Sequence, residues 1–206
     1  MLVHIESQAN RQEALPGSVT SARLHAEVEW MHSRMDALKL PVVCGHGDLK
    51  PSNVMAADIR EGHNGACCEF EDERRISFID FELGGMHYRG YDLYKLFRTT
   101  GEMSLQNLRC FLIEYLSADT SARGQKRERH QQAELDELCA ETLLFQPISW
   151  LEAAIFFFFA ISTYPSEKEK WAALALDRWE RYVASAHLID IDGDATRALL
   201  SARQQN

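Results

Sequence analysis

Two short apolar runs that each empty into an acidic polar loop constrain this chain more than any other feature: PVVCG before HGDLKPSN, and ISFI before DFE. PVVCG is short, β-branched and closed by glycine, which predicts a buried strand that delivers the first loop at its end. Residues 53–56 and 76–79 read as two further short strands, separated by a polar insertion over 58–75 that holds Asn64-Gly65 and the charge run EFEDERR. This pattern predicts a hairpin with an extended, solvated tip. A hairpin fixes distance. Asp80, at the end of its second strand, is therefore expected beside Asp48 in the loop that precedes the first.

Helices are predicted on both sides. Leu24, Val28, Met31, Met35 and Leu38 advance by four, three, four and three residues, one helical stripe that Pro41 stops. Downstream, a short helix is expected from about Asp92 as N-cap, then one carrying Leu105, Leu108, Phe111, Leu112, Tyr115 and Leu116. The small, polar and basic residues 117–132 read as a loop. One helix follows around 143–162, and another is opened by Pro165-Ser166 with Glu169 in capping-box position, presenting Trp171, Ala175, Trp179, Tyr182, Val183 and Ala186 on one side. The expected fold class is α+β, mostly helical with a short β-hairpin carrying the two loops. Its body spans 21–190, with tails at 1–20 and 191–206.

Composition narrows the partners. The chain has 206 residues, 46% hydrophobic and 26% charged, an ordinary globular balance. A net charge of -9 sets up no field that would draw in nucleic acid or an anionic membrane. The apolar stretch AAIFFFFAISTYPS is 14 residues between Glu152 and Glu167, whereas a membrane span needs about 20. It reads as a buried helix. The five cysteines are odd in number, form no CxxC and follow no signal peptide, which points to a reducing, cytoplasmic setting. His63 near Cys67 and Cys68 lacks the further ligands that zinc requires.

The loops suggest a chemistry. Phosphoryl transfer asks a protein to position two partners, hold Mg²⁺ against the phosphates and accept a proton from the attacking hydroxyl. In HGDLKPSN, Asp48 suits the proton acceptor, Asn53 supplies a neutral oxygen to the metal, and His46 braces the loop. Alone, the spacing equally describes a polar turn whose histidine is satisfied by backbone. Asp80, followed by Glu82, alters that balance, because Mg²⁺ needs acidic groups converging from separate segments.

VVCGHGDLKPSNVM followed by ISFIDFELGGMHYRGYDLYKLF resembles the choline/ethanolamine kinase family. The specific part is IDFE, then Tyr88-Arg89-Gly90, an aromatic and Asp92. The upstream EVEWMHSRMDALKLP and the closing helices are also similar, so the resemblance covers roughly residues 25–185. It implies a protein-kinase-like C-terminal lobe that passes the γ-phosphate of ATP to choline or ethanolamine, the entry step of phosphatidylcholine and phosphatidylethanolamine synthesis. In that reading Asp48 and His46 are catalytic, Asn53 and Asp80 bind Mg²⁺, Arg89 and Asp92 belong to the structural motif, and Glu82, Phe156, Phe159 and Trp171 face the small-molecule substrate. Ring faces and carboxylates suit a trimethylammonium group, which donates no hydrogen bond. Plain core is the other reading of the phenylalanines.

Two departures stand out. Where the family has Gly-Asn-His-Phe followed by an acidic residue, this chain has Tyr94-Lys95-Leu96-Phe97, then Arg98 and Thr99, with Glu102 beyond Gly101. Only 47 residues precede Asp48; they hold no GxGxxG, and their one lysine, Lys39, ends a helix. The chain alone is therefore expected to be inactive, with a second copy or another partner over the face a nucleotide lobe would cover. Rival readings are an aminoglycoside-type phosphotransferase and a non-catalytic interaction module.

Overall fold

The computed structural model describes residues 19–58, 74–99, 104–123 and 131–190. Residues 1–18 and 191–206, the hairpin tip, His63, Cys67, Cys68 and Glu102 lie outside the described residues, while Val19 and Thr20, expected in the tail, are respectively a buried core residue and the cap of the first helix. Helix α1 (Ser21–Leu38) starts where the Thr20 hydroxyl accepts from the Arg23 amide at 3.1 Å, and ends at Lys39 in a left-handed conformation with φ 47°. Leu24, Met31, Met35 and Leu38 are its buried stripe.

Strand β1 (Val42–Gly45) leads into the first loop, and a 3₁₀ turn over Pro51–Asn53 leads out of it into β2 (Val54–Asp58). β2 pairs antiparallel with β3 (Arg74–Phe78), Val54 opposite Phe78. The sequence does not announce the second sheet. β1 pairs antiparallel with β4 (Gly85–Tyr88), Val42 opposite Tyr88. β1 is therefore half of a two-stranded sheet rather than a buried strand, and Val42 is 50% exposed.

Four helices complete the fold: α2 (Arg89–Thr99), α3 (Leu105–Arg123), α4 (Gln131–Thr163) and α5 (Lys168–Ser185). Three expectations need correction. α2 starts at Arg89, so Asp92 lies in its first turn rather than at the N-cap. α3 runs on to Arg123, so residues 117–123 are helical rather than loop, in keeping with their alanines and terminal arginine. Before α5, Pro165–Glu167 forms a 3₁₀ turn and no side-chain hydrogen bond caps the helix, so Ser166 closes no capping box.

α4 is the axis of the molecule. It passes through Pro147 without ending, since burial along most of its length offsets the lost backbone bond. Its length and composition would suffice to cross a membrane, but 61% of its most apolar window is buried against the rest of the protein, the mark of a core helix. The main core joins α1, α4 and α5 through Leu24, Met35, Leu144, Phe158, Trp179 and Tyr182. A smaller core sets Leu93 of α2 and Leu108 and Leu112 of α3 against Leu135 and Leu138 of α4.

Candidate active site

The YRGYD segment fixes the site from below. Arg89 donates from Nη2 to Glu141 Oε2 at 2.6 Å, and the Gly90 amide donates to Glu141 Oε1 at 3.1 Å. Glu141 is fully buried. A Cβ on Gly90 would stand 2.7 Å from the Phe145 ring, so only glycine lets α2 approach α4 this closely. One turn on, the Asp92 carboxylate accepts from the amides of His46 at 2.6 Å and Gly47 at 3.0 Å. The start of α2 thus grips both α4 and the first loop.

The loop itself is closely determined. Gly47 has φ 79°, and a Cβ there would lie 2.2 Å from the Leu83 carbonyl oxygen. His46 is buried. Its Nε2 donates to the Ile79 carbonyl at 2.8 Å, while Nδ1 accepts from the Asp48 amide at 3.3 Å, and both contacts select the tautomer protonated at Nε2. The Ile79 amide donates to the Asn53 carbonyl at 3.0 Å. Asp80, the next residue, is thereby tethered to the Asp48 loop through two bonds at its neighbour. Its own backbone is left-handed, φ 68°, a conformation aspartate tolerates better than most residues, and its side chain is exposed.

Asp48 sits between two cations. Lys50 Nζ reaches its Oδ2 at 2.6 Å, and Lys95 Nζ reaches its Oδ1 at 3.1 Å. Burial pushes the Asp48 carboxyl up, but the hydrogen bonds and charges of Lys50 and Lys95 outweigh it and hold the group below the ordinary carboxylate range. Its folded pKa being the lower one, Asp48 stabilises the fold above its unfolded pKa, and that contribution is lost as pH falls through the folded value. For a reaction that needs Asp48 ionised, Lys50→Met should move the acid limb of kcat/KM to higher pH. Comparing the pH profiles of parent and variant checks this.

Asn53 is buried, and its Nδ2 donates to the Asp48 carbonyl at 3.0 Å and carboxylate at 3.3 Å. Its Oδ1 keeps one long contact, from Ser52 Oγ at 3.4 Å. Among the described residues no cluster of three or more His, Cys, Asp or Glu side chains could enclose a metal. A site of one amide oxygen and one carboxylate, with phosphate and water completing the shell, still fits Mg²⁺, which is commonly held by one or two carboxylates. Glu82 is exposed in the 3₁₀ turn after Asp80.

Lys95 and Glu152 were not legible as site residues. Lys95 is buried and donates to the Gly47 carbonyl at 3.1 Å, the Tyr91 hydroxyl at 3.0 Å and Glu152 Oε1 at 3.0 Å, besides its pair with Asp48. Burial, with the charge of Glu152 alongside, pushes the Tyr91 phenol well up. The signal that could have found this cluster is Glu152 itself, a carboxylate inside the most apolar helix.

Phe156 and Phe159 stand four and seven residues beyond Glu152 on α4, hence on its face. Phe156 is 48% exposed, while Phe159 is half-buried against the main core. Trp171 instead stacks on Phe157, centroids 5.8 Å apart. The structure thus sets Phe156 and Phe159 in line with Glu152 and engages Trp171 with a neighbouring ring. Phe156→Ala should change stability by no more than about 0.5 kcal/mol, which urea unfolding will measure.

Comparison with known proteins follows the same lines. The sequence profile described as choline/ethanolamine kinase matches residues 2–183. A protein of Arabidopsis thaliana described as a probable ethanolamine kinase is 30% identical over 76 residues, a stretch that spans 37% of this chain and 17% of that protein's length. The matched profile is that of a family of phosphotransferases. The chain belongs to the choline/ethanolamine kinase family.

Proposed function

We propose that this chain is the C-terminal, kinase-like lobe of an Mg²⁺-dependent enzyme that phosphorylates choline or ethanolamine with ATP in the cytoplasm. The observation that carries the reading is the hydrogen-bonded junction of the two loops: Asn53 holds Ile79, His46 holds Ile79 from the other side, and Asp48 and Asp80 flank the junction. Asn53 Oδ1 and the Asp80 carboxylate would hold Mg²⁺, which neutralises phosphate charge when bound. Asp48 orients the acceptor hydroxyl and takes its proton. Lys50, at its side, is placed to face negative charge arriving from the phosphate.

The relative's description favours an amino alcohol over an aminoglycoside acceptor. Met55, Ile76, Phe78, Phe81 and Leu83, on or beside the hairpin, are all more than half exposed. Such a surface suits a covering nucleotide lobe, whether from the same polypeptide or from a partner chain. The test of the metal assignment is Mn²⁺ titration in a nucleotide-competent form. Asp80→Ala should lose metal affinity and Asp48→Asn should keep it; unchanged affinity in Asp80→Ala removes Asp80 from the site.

A further inference from the structure

The four groups around the Lys95 ammonium have one property in common. Asp48 Oδ1, Glu152 Oε1, the Tyr91 hydroxyl and the Gly47 carbonyl are all oxygens within 3.1 Å of Nζ. This is a complete binding site for a primary ammonium ion, filled by a side chain of the protein. It also lies against the carboxylate that receives the acceptor hydroxyl. In a two-carbon amino alcohol the nitrogen lies within about 4 Å of the hydroxyl oxygen, so an acceptor bound at Asp48 brings its own cation to the same few ångströms. Two ammonium groups that close repel each other unless each has its own carboxylate.

We propose that Lys95 occupies the place of the acceptor's ammonium, so that an amino alcohol reaches Asp48 by displacing Lys95, and that a primary ammonium does this more readily than a trimethylammonium. The inference rests on the phosphotransfer reading for the role of Asp48. Glu152 supports it independently: its second oxygen, Oε2, is buried with no hydrogen-bond partner among the described residues, an acceptor open to an N–H donor. A trimethylammonium group has no N–H to give to Glu152, Tyr91 or Gly47. Lysine is suited to yield, since its ammonium rides on a flexible four-carbon stem and its three donors rotate freely. Lys95 thus makes the site selective for acceptors whose cation can replace a hydrogen-bonded ammonium.

The test uses the 206-residue chain and reads cation binding without turnover. Lys95→Met keeps the apolar stem and removes the charge. Thermal unfolding of this variant should shift upward by several degrees in methylammonium or ethanolamine chloride, with little shift in tetramethylammonium at equal ionic strength. The wild-type midpoint should move less. If the variant does not fold, the wild-type chain answers the question by NMR of lysine-labelled protein, where the Lys95 ε-methylene signal should shift on titration with ethanolamine and stay in place with tetramethylammonium. A Lys95 signal indifferent to ethanolamine, or a variant rescued equally by tetramethylammonium, overturns the proposal. Absence of phosphate transfer to any amino alcohol would instead undo the functional reading while leaving both of these results in place.

Discussion

In a nucleotide-competent form, Asp48→Asn should lower turnover by about 10² to 10⁴, the range typical of losing a general base, and should leave the fold in place. The substitution keeps the shape of the side chain and its place beside Asn53 Nδ2. What it removes is the negative charge that two lysines hold and that a departing proton needs. A carboxylate kept below its usual range by Lys50 and Lys95 stays ionised at neutral pH, as the proposed proton acceptor must be. In the proposed reaction, its low basicity would make orientation of the hydroxyl as much its task as proton transfer. Steady-state kinetics with a far-ultraviolet dichroism control separates the effects, and a rate within a few-fold of the parent would take Asp48 out of the mechanism.

Glu141→Ala has the largest expected effect on stability, a loss of about 3 to 5 kcal/mol. Glu141 is fully buried and bonds both the Arg89 guanidinium and the Gly90 amide. Truncation leaves a guanidinium that is itself mostly buried, and a backbone donor, without their acceptor. Burial works against the Arg89 charge, and Glu141 more than offsets it. Glu141→Gln keeps an acceptor and should cost less. The consequence reaches the site, because α2 carries both Arg89 and Asp92, and Asp92 holds the His46 and Gly47 amides. Urea denaturation of the three forms measures the ranking; equal stability of Glu141→Ala and parent would show that the pair contributes nothing.

The candidate site was legible where it is written in contiguous sequence. HGDLKPSN contains its own bracing histidine, its carboxylate and its amide, and a hairpin is the simplest way to return Asp80 to them. The role of YRGYD was visible as a signature but not as a mechanism, since Arg89 and Glu141 are 52 positions apart in sequence and meet only in the folded chain. Lys95 and Glu152 are 57 residues apart, and no local pattern links them. β4 was missed for a different reason: GMHY is four residues long with no clear alternation of burial, so its pairing with β1 is set by the loops on either side. The full length of α4 was hidden by Pro147 and by its polar first turns, where burial against α3 decides in favour of helix.

The most direct test of the central claim is transfer of labelled terminal phosphate from ATP to ethanolamine and to choline, by the 206-residue chain and by a version extended at its N-terminus with a nucleotide-binding lobe. The extended form should make a labelled amino-alcohol phosphate, the same form with Asp48→Asn should make at least about a hundredfold less, and the chain alone should make none that is measurable. An extended form that binds nucleotide and Mg²⁺ yet phosphorylates neither acceptor, or one whose rate is indifferent to Asp48→Asn, would contradict the account and favour a non-catalytic binding role.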